Sequence, residues 1–229
     1  MMNTFITVPA TSLPNGTIVP SFQVGAYVCS KGEDGNAAVT SHGKPWVNID
    51  FEEAKAACTE IGAALITELQ WLALAWNASQ QDCNWTSGKV GAGDLFQGLR
   101  NGTVNDAQAG DYVSSDTSEQ RWLTLSNGER ICDLNGNVYQ WVFDDVQGNE
   151  KGIIASDFAK DSPSVVTPPF PTREKGMGDY AAWDWSGFAL IRGGCWYSAS
   201  HAGVFYLLYD WPGYRYDNVG FRCTKPIGL

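Results

Sequence analysis

The sequence predicts an α+β domain in which two helices come early and a long, loop-rich β region follows. Three observations carry that prediction. Two segments, 50–62 and 67–78, each join a capping signal to apolar residues at helical spacing. Helix signals stop after Asn77. The remainder is punctuated by Gly and Pro, of which the whole chain has 25 and 10, and holds only short runs of strand character.

The elements follow in order. Residues 1–45 read as short strands and turns broken at Pro9, Pro14 and Pro20, with "SFQVGAYVCS" (21–30) the best strand. In "DFEEAKAACTEIG" (50–62), Asp50 caps and Glu53, three residues on, completes a capping box. Phe51, Ala54, Cys58 and Ile61 form one apolar face, and Gly62 marks the stop. In "TELQWLALAWNA" (67–78), Thr67 caps with Gln70, and Leu69, Leu72, Ala73 and Trp76 face inward. Strand candidates follow at 121–128, which ends in an Asn-Gly turn, and at 137–146, 188–196 and 218–223. The Pro- and Gly-rich segment 155–180 reads as an insertion loop. No internal repeat or linker divides the chain, so 1–229 is expected to be a single domain.

At 229 residues, 44% hydrophobic and 17% charged, the chain can bury a sizeable core. Its formal net charge of −10 argues against nucleic acid and against anionic membranes, both of which need a basic footprint. No apolar run approaches the roughly 20 residues of a membrane span, so no membrane insertion is expected. The start lacks a basic stretch followed by an apolar block, so the expected location is the cytoplasm or an assembled particle. No heptad specifies an oligomer. The six cysteines form no C-x-x-C pair and none lies beside a histidine, which argues against zinc and for buried thiols. Cys58 and Cys223 could pair if the fold brings them together.

The end of the chain is unusual. "WYSASHAGVFYLLYDWPGYRYDN" (196–218) lies between "RGGC" (192–195) and "VGFRC" (219–223). A third of it is aromatic, and it contains no Lys, Glu, Gln or Met. Tyr and Trp give large, stiff, amphipathic contact area at low entropic cost, while Ser, Gly and Asn give adaptable hydrogen bonds. This is the composition of a binding surface. Candidate ligand contacts are Tyr197, Ser198, Ser200, His201, Tyr206, Tyr209, Asp210, Trp211, Tyr214, Tyr216 and Asp217. Trp196, Phe205 and Leu207 read as buried props. No nucleophile or carboxylate partner marks His201 as a catalytic base.

Three motifs together resemble the formylglycine-generating-enzyme, or sulfatase-modifying-factor, family. "NIDFEEAKAACTEIGAALITELQWLALAW" (48–76) is similar to its paired-helix element, with Gly62, Leu65, Thr67, Glu68 and Trp71 matching. "CDLNGNVYQWVFD" (132–144) resembles N-x-x-G-N-V-W-E-W-x-x-D, and "IRGGCWYS…NVGFRC" resembles L-R-G-G-S-W…N-x-G-F-R. The resemblance implies a variant of the C-type lectin fold, with both brackets as strands of a small sheet. It places Ser198 and Gly203 where the enzymes carry their reactive cysteines, so the copper-dependent oxidoreductase reading loses its thiolates. Relatives with a histidine-based iron site need more histidines than His42 and His201 unless both converge. The resemblance therefore implies no enzyme and no required cofactor, with metal-dependent oxidoreductase as the alternative. A structural calcium is implied at Asp133, Gly136, Val138 and Gln140, although Gln140 stands where the family has Glu. A sugar-binding lectin is disfavoured, because the tripeptides E-P-N and Q-P-D are missing.

The C-terminus is still more similar to the variable proteins of diversity-generating retroelements, which include phage receptor-binding proteins. Their last segment runs R-G-G-x-W-N-N-G-S-N-A-G-x-F…N-x-G-F-R, and Trp196, Ala202, Gly203 and Phe205 keep its landmarks. The resemblance makes 192–223 a variable region displayed to a protein or cell-surface ligand, within a phage or virus particle. Randomising the adenines of AAC or AAT codons yields Tyr, Ser, Asp, Gly, His, Leu and Phe, and never Lys, Glu, Gln or Met. Trp211 requires a different template codon.

Overall fold

The computed structural model describes residues 3–227. Both helices form where the capping signals stand. In the first, Phe51–Glu60, the Asp50 carboxylate accepts from the Glu53 amide at 2.9 Å and Glu53 accepts from the Asp50 amide at 3.1 Å. In the second, Glu68–Ser79, Thr67 and Gln70 form the same reciprocal pair. Trp71, Leu72, Ala73, Leu74, Ala75 and Ala78 are all buried, so this helix is wrapped by protein rather than lying on the surface.

Two four-stranded sheets organise the rest. The first runs Phe5–Val8, Phe22–Gly25, Cys223–Pro226, Ala64–Leu65, all antiparallel. It ties the start of the chain to its end. The second runs Leu207–Asp210, Ala189–Arg192, Tyr139–Val142, Val219–Phe221. Its last pairing is parallel and the others antiparallel. A separate hairpin pairs Trp122–Thr124 with Arg130–Cys132.

The expected strands are present at 21–30, 121–128, 137–146, 188–196 and 218–223, but each is shorter than its sequence signal. Two expectations change. Leu207–Asp210 is a strand, so the aromatic stretch is partly a sheet edge and not wholly a surface loop. The segment 155–180 contains a short helix, Pro163–Val166, and buries Ser164, Thr167 and Met177 completely. Part of this Pro-rich run therefore belongs to the core.

Two buried arginines join the parts. Arg192 makes a two-pronged ion pair with Glu68 at the start of the second helix, and both side chains are fully buried. Its Nη1 also donates to the Phe205 carbonyl at 2.9 Å. Arg222 lies between the last two strands and donates to the carbonyls of Gly25, Cys132 and Asp133 and to Gln140 Oε1. Cys58 and Cys223 do meet, with their sulfurs 2.7 Å apart, and Cys29 lies 3.1 Å from Cys223. All three are free thiols, and burial pushes the Cys58 thiol up and the Cys29 thiol up strongly.

Candidate ligand-binding surface

The stretch 196–218 is held at both ends by sheet strands. After Ala189–Arg192 the chain turns through Gly193 and Gly194, whose φ values of +93° and +89° suit glycine. Gly203 lies against the Met177–Gly178 backbone, where a Cβ would come within 2.3 Å of Gly178 N. Any larger residue would push the stretch off its support. Trp196, Phe205 and Leu207 are buried, as expected of props. The return leg ends in Val219–Phe221, in parallel register with Tyr139–Trp141.

The candidate contact residues divide by exposure. Tyr197 is 58% exposed, Trp211 52%, Tyr214 50% and Tyr216 38%. Ser200 and Asp217 are exposed, while His201, Tyr209 and Asp210 are half-buried. Tyr214 packs edge-on against Tyr216 with centroids 5.6 Å apart. The Tyr197 hydroxyl accepts from Asn218 Nδ2 at 2.5 Å. Partial burial and the neighbouring Cys195 thiol push the Tyr197 phenol up to about 12. His201 pairs with Asp179, which Arg173 also engages.

Ser198 and Tyr206 do not belong to the displayed set, because both are buried. Ser198 Oγ accepts from the Cys195 amide at 2.9 Å and donates to the Tyr139 hydroxyl at 3.2 Å. Tyr206 packs at a tilt against Tyr139, with centroids 5.4 Å apart. These two side chains bond inward and support the turn. Arg215, which the sequence did not single out, binds Asp50 and Glu53 at the start of the first helix and so ties the stretch 211–217 to that helix.

Rings from outside the stretch were also missed. Trp185 lies 4.5 Å from Tyr209, and Phe188 lies 4.5 Å from Tyr209 and 4.3 Å from Trp211. Trp183, two residues before Trp185 in the chain, is 70% exposed. The "WDW" of 183–185 was the available signal, masked by its place after a Pro-rich loop.

The loop 132–144 holds cations of another kind. Arg121 grips Asp133 through both carboxylate oxygens, at 2.8 and 2.5 Å. Its remaining donors reach the carbonyls of Ala109, Tyr112 and Gln108. Gln140 is engaged at both ends of its amide, by Arg222 and by the Asp133 carbonyl, and the Gly136 carbonyl accepts from the Val138 amide. These residues do not fit a calcium ion: a guanidinium already sits among the oxygens, and the Gln140 amide is committed. Nor do His42 and His201 converge. His42 pairs with Asp111 and His201 with Asp179, and the described residues contain no group of three His, Cys, Asp or Glu able to hold a metal.

The sequence profile of the sulfatase-modifying factor enzyme 1-like domain matches residues 23–227. The chain belongs to that family. No curated protein sequence matches the chain significantly. Among solved structures it is similar to Treponema denticola variable protein 1, with 15% identity, TM-score 0.50, and coverage of 99% of this chain and 92% of that one. It is similar also to the Major Tropism Determinant M1 variant, with 13% identity and TM-score 0.50, covering 90% of this chain. The chain spans half the length of that protein. These likenesses place the fold: it is the C-type lectin fold in the form this family uses. Within that frame the R-G-G and G-F-R motifs are the strand ends that carry the aromatic stretch.

Proposed function

We propose that this domain is a binding protein that displays a diversifiable surface and performs no chemistry of its own. One observation carries the reading. Between two brackets anchored by buried Arg192 and Arg222, four large rings point outward and take little part in the core. A side chain that is largely exposed and touches only its neighbours at the surface can change with little effect on the fold. Large exposed aromatics in a cluster mark an interaction site rather than an ordinary surface. The partner is a protein or cell-surface ligand, recognised by shape and aromatic anchors. The names of the fold relatives, a variable protein and a tropism determinant, agree with this reading.

The oxidoreductase alternative has less support. Ser198 and Gly203 stand at the positions of the reactive thiols, and Ser198 is buried in hydrogen bonds to Cys195 and Tyr139. The retroelement origin is tested in DNA. The region encoding 192–223 should have a near-copy nearby that differs only where the copy holds adenine, beside a reverse-transcriptase gene. If only this one version of the segment exists, the surface is fixed and the diversification part of the proposal fails.

A further inference from the structure

We propose that the binding surface continues onto the segment 157–188, outside the displayed stretch, and that its partner is a protein surface rich in Lys and Arg. This rests on the display reading above and names the partner's chemistry. The first support is a continuous row of rings. Phe158 packs on Trp185 at 5.5 Å, Trp185 on Tyr209 at 4.5 Å, Tyr209 on Phe188 at 4.5 Å and Phe188 on Trp211 at 4.3 Å. The row starts in the 157–188 segment and ends on the displayed turn; Trp185 within it is buried, Phe158, Phe188 and Tyr209 are half-buried, and Trp211 at its end is exposed, as is Trp183 two residues before Trp185.

The second support is charge. Asp157 and Asp184 sit together at the Trp183 end, and repulsion from Asp184 raises the Asp157 carboxyl. Asp210 lies between Tyr209 and Trp211 and accepts from the Trp211 amide at 2.7 Å. Asp217 is exposed on the return leg. Among the described residues, none of these four carboxylates forms an ion pair. Arg215, the one cation of the stretch 196–218, is already taken by Asp50 and Glu53.

A face of this kind discriminates by sign. Ring faces attract guanidinium and ammonium groups, and the attraction grows when water is excluded. A neutral or acidic partner would cover these carboxylates and leave them unpaired, which opposes binding. A basic protein surface supplies the missing partners and relieves the Asp157–Asp184 repulsion.

The test is a fluorescence-anisotropy titration of the full chain with a labelled oligoarginine peptide at low salt, with oligoglutamate and a neutral Gly-Ser peptide as comparators. Oligoarginine should bind, and the others roughly tenfold more weakly or not at all. Affinity should fall roughly tenfold in Trp183→Ala/Trp211→Ala and in Asp157→Asn/Asp184→Asn. It should hold in Glu33→Gln/Glu129→Gln, which removes the same charge from two turns outside the face. The substituted side chains are exposed, so unchanged melting curves verify folding. Equal weakening in both acidic variants would reduce the effect to net charge and overturn the proposal, as would no preference for the basic peptide. A non-basic ligand selected from a protein library that binds through Trp211 and Tyr214 would overturn the charge inference and leave the display reading standing.

Discussion

Ala199 holds a left-handed backbone conformation, φ +49°, at the turn between Ser198 and Ser200. The retroelement motif has glycine at this position, and an alanine there strains its Cβ against the chain. Ala199→Gly should stabilise the fold by about 0.5–1 kcal/mol, raising Tm by roughly 1–4 °C in thermal unfolding. Arg121 is the second telling residue. Its guanidinium is the counter-charge for the buried Asp133, so Arg121→Ala should cost about 3–5 kcal/mol. Because that guanidinium occupies the oxygens, EDTA should leave Tm unchanged; a fall on chelation would show a bound ion. At this scale the sequence was partly legible. It marked the rings and both bracket motifs. It did not show that Ser198 and Tyr206 turn inward, because their partners Cys195 and Tyr139 come together only through the sheet. Nor did it show Arg121 as the partner of Asp133, since nothing local joins the two.

The two helices were the most legible elements, because capping boxes and apolar spacing are local signals. The strand Leu207–Asp210 was the least legible. Its run "LLYD" alternates poorly, and a short apolar run carries no period that separates strand from displayed loop. Its identity comes from pairing with Ala189–Arg192, a contact no local pattern contains. The same holds for Met177, whose burial beneath Gly203 and Phe205 draws a Pro-rich loop into the core. The pair Glu68–Arg192 shows how elements depend on each other, since it pins the second helix to the R-G-G strand. Glu68→Ala leaves a buried guanidinium without its counter-charge. It should cost about 3–5 kcal/mol in denaturant unfolding. A loss under about 1 kcal/mol would mean that solvent reaches Arg192 and that the bracket is looser than described.

At the scale of the molecule, labour is divided. The first sheet closes the chain on itself, the second carries the aromatic stretch on one edge, Arg192 locks that sheet to the second helix, and Arg222 ties the two sheets together. The stretch then offers Tyr197, Trp211, Tyr214 and Tyr216 to solvent while Trp196, Phe205 and Leu207 hold it down. Tyr209, packed between Trp185 and Phe188, belongs partly to the scaffold, so the displayed set is smaller than composition suggested. The most direct measurement is a library randomised at Tyr197, Ser200, Trp211, Tyr214, Tyr216 and Asp217, read by thermal unfolding and protease resistance. If this surface is displayed by an independent scaffold, most members keep Tm within about 5 °C of the parent, while Phe205→Ala falls well below. If most members of the library unfold with Phe205→Ala, the rings are core and the display account is wrong.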